Sequence, residues 1–168
     1  MSTSDSLKNL ATLAVVAVVP ALLAGCGSGT TTSTTSPTAA ASPTAEVERY
    51  RAELKPTNEK IESARHTLEK VRFTGSNYSE VAGAFLTYLS AYRAYISELE
   101  QTHAPLSVAT TAEGYITHLR QHLADLEAAS KAAAGRDGAA LSADLQKARA
   151  AARECTVAAT LYAEACRW

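Results

Sequence analysis

Net charge is almost absent from this chain: 16 lysines and arginines face 17 aspartates and glutamates, the two signs interspersed. A nucleic-acid ligand calls for a basic patch that neutralises phosphates, so nucleic acid is not expected as a partner. Also missing are the arrangements that chemistry on a substrate requires. There is no nucleophile beside a base, no glycine loop to cradle phosphate, and no cluster of Glu-x-x-His motifs. Catalytic residues and cofactors are therefore assigned none, and the chain is not expected to be an enzyme. No stretch alternates apolar and polar residues as a half-buried strand would. Cysteine is scarce, with three in 168 residues.

What is present begins near the N-terminus. Leu10 to Ala24 is nearly all Ala, Val and Leu, interrupted by Thr12 and Pro20, and it ends in small residues before a cysteine. That run is too short, and wrongly flanked, for a helix that spans a membrane; it has the form of the apolar core of a signal peptide. The cationic region before it is thin, Lys8 being opposed by Asp5. Leu23-Ala24-Gly25-Cys26 resembles the bacterial lipobox at all four positions. The resemblance covers the export segment alone. It implies that residues 1–25 are a lipoprotein signal peptide and that Cys26 becomes the lipidated first residue. The protein would then sit on the extracytoplasmic face of the cell membrane, held by acyl chains such as palmitate. Each buried methylene contributes about 0.8 kcal/mol, and two or more chains hold where one would slip. Gly27, and not Asp, follows the cysteine, so the inner-membrane retention signal of many two-membrane bacteria is lacking. The competing reading is an ordinary secretory signal that leaves Cys26 as a spare thiol.

Residues 26–45 are read as the lipidated cysteine and a flexible linker. From Gly27 to Ala45 there are only Thr, Ser, Ala, Gly and Pro, with no charge and no large apolar side chain to enter a core. A flexible chain of that length has a root-mean-square span of roughly 24 Å. The remainder, 46–168, is an ordinary length for one domain.

From Val47 onward the apolar spacing is helical. Val47, Tyr50, Leu54, Thr57, Ile61, Ala64, Leu68 and Val71 alternate steps of three and four, a heptad seam that passes unchanged through Pro56. One bent helix is expected there rather than two. Three more seams follow, giving helices over about 46–73, 77–103, 107–134 and 138–162. The expected starts are a capping box at Asn77 and Glu80, Ser107, and Asp137, with Gly135 taking the left-handed position before the last. Four amphipathic helices joined by short links imply an all-α fold, an antiparallel up-down-up-down four-helix bundle after the signal peptide and disordered linker. With both termini at one end, the linker, Ala104-Pro105-Leu106 and Trp168 lie on the membrane side, and Thr74 to Ser76 and Gly135 to Gly138 form the far tip. The fourth seam is mostly small residues, and the aromatic second helix is its expected complement.

His118 and His122 stand one turn apart, with Asp125 extending the row, a spacing that could offer ligands to zinc or copper. In the seam register only His122 approaches the interior, so no metal site is assigned. Tyr88, Tyr92 and His122 are the candidate ligand-binding residues, forming a polar-aromatic slot between the second and third helices. Counting outward from Pro105 places Tyr95 opposite Tyr115 and Tyr88 opposite His122. Cys155 and Cys166 form an even pair in an oxidising compartment and are expected to make a disulfide. Eleven residues along a straight helix separate two thiols by roughly 16 Å, so the bond requires the last helix to stop near Ala159 to Tyr162 and the tail to fold back; the alternative is two thiols buried in an unbroken helix. The functional expectation is a membrane-anchored interaction module whose partner is an envelope protein. The alternative is an envelope carrier of a small ligand or a metal.

Overall fold

The computed structural model describes residues 43–166. The signal peptide, Cys26 and nearly all of the linker lie outside the described residues, as do Arg167 and Trp168. Four helices account for most of what is described: α1 (Pro43–Lys70), α2 (Tyr78–Gln101), α3 (Ala109–Ala134) and α4 (Gly138–Ala165). They form the expected antiparallel four-helix bundle, each helix packing along its neighbour in sequence. Among the described residues no helix is long and apolar enough to cross a membrane.

α1 starts three residues earlier than the seam suggested, at Pro43. Proline suits the first helical position, where its missing N–H would have found no partner and its fixed φ is already helical. The helix then runs unbroken through Pro56. It stops at Lys70 because Phe73 leaves the helical path to be buried, packing edge-on against Tyr78 at 4.9 Å. Gly75 completes the turn at φ 84°, a conformation that glycine adopts without a Cβ penalty.

Two of the three expected caps are built differently. The Asn77 side chain does not cap α2: its Oδ1 accepts from the Thr74 N–H (2.8 Å), and its Nδ2 donates to the Arg72 carbonyl and to Glu80 Oε2 (2.8 Å each). The amide is consumed in holding the α1–α2 turn, so Asn77 and Glu80 do meet, but side chain to side chain. α3 begins at Ala109 rather than beside Ser107. Val108 takes the cap position because its side chain is buried, and its N–H closes a tight turn onto the Pro105 carbonyl at 2.9 Å. Asp137 does cap α4, Oδ1 accepting from the Ala140 N–H at 2.9 Å. The left-handed residue before it is Arg136 (φ 57°), not Gly135, whose N–H still bonds the Lys131 carbonyl and extends the α3 hydrogen-bond pattern by one residue.

α4 continues to Ala165, and the Cys166 N–H still bonds the Tyr162 carbonyl at 3.1 Å. That continuity corrects the expected disulfide. Cys155 and Cys166 are both free and both buried. An unbroken helix keeps them about 16 Å apart, far beyond the span of a disulfide. The closest helix pair is α3 and α4, not α4 and aromatic α2. Buried alanines run along both helices, Ala129, Ala132 and Ala133 on α3 and Ala148, Ala151 and Ala152 on α4, and small side chains let two backbones approach where a tyrosine would hold them off.

Candidate functional site

The interior holds an uncommon number of hydroxyl groups for a helical core. Tyr50, Tyr88, Tyr92, Tyr95, Tyr115 and Tyr162 are each no more than 2 % exposed. They occupy seam and flank positions, so helical periodicity alone turns them inward. Once there, each phenol needs a partner, because an unmatched buried hydroxyl costs on the order of 1–3 kcal/mol.

Near the end where α1 begins and α4 finishes, all four helices contribute one tyrosine to a single layer. Tyr115 of α3 stacks on Tyr162 of α4 (centroids 5.1 Å apart, planes 19°). Tyr50 of α1 meets Tyr162 edge-on at 6.4 Å, and Tyr95 of α2 meets Tyr115 at 6.5 Å. The Tyr95–Tyr115 pair is the one that counting from Pro105 anticipates. Tyr162 donates to the Tyr50 hydroxyl at 2.9 Å, and Tyr115 is hydrogen-bonded to Tyr95. The Cys166 thiol lies near Tyr162 at the rim of this layer. Burial holds all four phenols above their usual pKa, so they stay neutral.

The candidate ligand residues lie one layer further in. His122 of α3 is 1 % exposed, and its Nδ1 lies 3.1 Å from the Tyr92 hydroxyl of α2, the rings edge-to-face at 5.5 Å. The Cys155 thiol of α4 lies near enough to the same hydroxyl to act on it. Side chains of three helices thus meet at one oxygen. Tyr88 packs edge-on against Tyr92 at 5.5 Å. The expected Tyr88–His122 pair is therefore corrected by one turn: His122 meets Tyr92, and Tyr88 reaches it through that ring. Equal counting from Pro105 fails by one turn at this level because it takes no account of which neighbour can satisfy the imidazole.

The electrostatics of this cluster follow from its dryness. Burial disfavours the imidazolium and brings His122 down to about 4 against the nearby pull of Asp125. The Cys155 thiol is pushed up to about 12 by the same burial. Tyr88 is raised as well; its hydroxyl is buried and has no hydrogen-bond partner, although Arg65, Glu62 and Glu69 of α1 are near enough to act on it. Near neutral pH the cluster consists of a neutral imidazole, a neutral thiol and neutral phenols. A thiol at about 12 supplies essentially no thiolate for attack, because reactivity tracks the ionised fraction. What such a cluster can do is fix the relative register of the helices that supply it, since Tyr92 and His122 are matched to each other only in this arrangement.

Of the other residues singled out in the sequence, His118 turns toward α4, with Nδ1 3.9 Å from Glu154, and Asp125 accepts from Gln121 at 3.4 Å on the surface. The row of His118, His122 and Asp125 therefore splits between surface and core. Among the described residues no group of three or more His, Cys, Asp or Glu side chains could hold a metal ion. Sequence reasoning missed the Tyr50–Tyr162 bond and the part played by Cys155. The signal was available: Tyr50 lies near the start of α1 and Tyr162 near the end of α4, and both are seam positions of antiparallel elements. Compared with protein families, with curated proteins and with solved structures, the chain has no match.

Proposed function

We propose that the protein is an exported lipoprotein, held at the extracytoplasmic face of the cell membrane through lipid on Cys26, whose helical bundle is a non-enzymatic interaction module for another envelope protein. One observation carries this reading. Leu23-Ala24-Gly25-Cys26 closes an apolar export segment, and an uncharged Thr/Ser/Ala stretch leads directly from it into a domain. Lipid on that cysteine would attach the bundle to the membrane without any spanning helix.

Two features favour a protein partner over a small ligand. The Tyr92 hydroxyl is already bonded to His122, so a ligand entering there would have to replace a bond that exists. An apolar side chain is instead available outside at Leu86, in the half of α2 near the far tip. The carrier reading retains one supporting observation, the partnerless Tyr88 hydroxyl next to Tyr92. Native mass spectrometry of the purified protein separates the two. A protein-sized adduct, or none until envelope extract is added, supports the interaction module. A bound small molecule that is released in Tyr88→Phe favours the carrier and counts against the module.

A further inference from the structure

Among the described residues four large apolar side chains stand out in solvent: Leu106 is 97 % exposed, Leu86 and Val157 63 %, and Leu161 55 %. Isolated exposed leucines are ordinary on any protein surface. Their distribution here is one-sided. Leu86 is in the half of α2 near the far tip. Leu106, Val157 and Leu161 are all in the half of the bundle where α1 begins and α4 ends. The Tyr162–Tyr50 hydrogen bond ties those two helix ends together, and a surface depression shared by Glu46, Arg49 and Tyr50 with Thr102 to Leu106 brings the α2–α3 turn to the same end.

Leu106 sits at the tip of that turn, beside Pro105 and inside the loop closed by the Val108 N–H on the Pro105 carbonyl, so its side chain is held outward. One helical turn further on, Thr110 and Gly114 of α3 form a groove of about 400 Å³ with Val157, Ala158 and Leu161 of α4. The groove stays uncharged until His118 and Glu154 at its inner end. Leu106 at the end of the bundle and the groove of Val157 and Leu161 on its side are thus two apolar features of the same half, and the depression beside Leu106 also carries Glu46, Arg49, Glu53 and Glu98.

We propose that this half of the bundle, through Leu106, Val157 and Leu161, seats in the headgroup boundary of the membrane that carries the Cys26 lipid; the inference rests on the lipid-anchor reading above. The occupant is chosen by where the chain leaves the bundle. α1 starts at Pro43, on the same end as Leu106. Seventeen residue steps link Cys26 to Pro43, at most roughly 60 Å even fully extended, so this is the end of the bundle nearest the bilayer. Tethering turns a contact too weak to capture a free protein into an intramolecular one, with an effective concentration on the order of millimolar. Exposed Glu154 and Glu164 border the apolar side chains on α4 and exposed Arg153 lies one turn before Val157, so the surrounding charge is mixed, the contact is apolar in origin and anionic lipid does not strengthen it. The consequence is a preferred orientation, with the α1–α2 and α3–α4 turns directed away from the membrane.

The test uses the full mature lipoprotein, reconstituted in phosphatidylcholine vesicles with bromine on the lipid acyl chains near the headgroup. The chain has a single tryptophan, Trp168, so Leu106→Trp, Leu161→Trp and Leu86→Trp are each made together with Trp168→Phe. All three positions are surface-exposed, and folding is checked by helical circular dichroism. The expected result is emission quenched about twofold or more for Leu106→Trp and Leu161→Trp, the shallow depth at which interfacial side chains bury, and unquenched for Leu86→Trp. Adding phosphatidylglycerol leaves the quenching unchanged. Equal quenching at all three positions, or none at any, overturns the inference while leaving the anchor intact if the protein still carries acyl mass and floats with the vesicles. Indoles at 106 and 161 that are shielded from aqueous iodide but not quenched by bromolipid overturn it in favour of a protein or a second copy on this half of the bundle. Absence of acyl mass overturns the anchor and this inference together.

Discussion

Lowering the pH should weaken the bundle through His122, and the size of the effect can be worked from its surroundings. The imidazole is 1 % exposed, packed on Tyr92, and brought down to about 4 from an ordinary 6.5. In the unfolded chain it binds a proton as pH falls through 6.5, whereas in the folded protein it stays neutral until about 4. Between those values the unfolded state holds more protons, so stability rises with pH. His122 thus contributes stability that is fully present above 6.5 and is lost as pH falls towards 4. Inside that window stability falls by up to roughly 1.4 kcal/mol for each step of one in pH, so between pH 7 and 4.5 the loss is about 2 kcal/mol. The assay is urea unfolding at both pH values, followed by helical circular dichroism, on wild type and on His122→Gln. Glutamine keeps a hydrogen-bonding group for Tyr92 and removes the titration. The variant should be less stable than wild type at pH 7, but its loss on going to pH 4.5 should be smaller by about 2 kcal/mol. Equal losses in the two proteins would refute the assignment of a dry, neutral imidazole.

Three further outcomes follow from packing and capping. Ala152→Leu places a large side chain into the close α3–α4 contact, where Ala152 is 1 % exposed, and should destabilise by about 1–3 kcal/mol in thermal or urea unfolding. Asp137→Ala removes the cap on the Ala140 N–H and should cost about 0.5–2 kcal/mol, whereas Ser107→Ala, outside α3, should leave stability within about 0.5 kcal/mol of wild type. A thiol reagent should find Cys155 unreactive in the native protein at neutral pH, and should titrate both Cys155 and Cys166 after denaturation without reductant, because neither is bonded. A single denatured thiol, or none, would contradict the continuous α4.

The helical half of the chain was legible because heptad spacing survives everything between Val47 and Cys166, including Pro56. Side-chain periodicity depends only on backbone geometry, so it predicts which residues turn inward, and Tyr50, Tyr92, Tyr115, His122 and Tyr162 all do. Boundaries were less legible, for a reason visible at each one. At α3, burying Val108 outcompeted capping by Ser107. At α2, Asn77 spent its amide on the preceding turn. The disulfide expectation failed because it came from compartment chemistry, whereas α4 has no local break: the hydrogen bond from the Cys166 N–H to Tyr162 carries the helix past the point where a fold-back would have to start. At the candidate site, the Tyr95–Tyr115 pair was readable by symmetry about Pro105. The Tyr92–His122–Cys155 junction was not, because it joins three helices and pairwise counting treats two at a time.

Location and orientation both turn on Cys26, and the most direct measurement is the intact mass of the mature protein extracted from the membrane fraction. The expected species is a chain that begins at Cys26 and carries the added mass of a diacylglyceryl group, with or without an N-acyl chain, and a Cys26→Ala variant should accumulate at the mass of the uncleaved precursor. A mature wild-type chain with no acyl mass and a free thiol at Cys26 would contradict it.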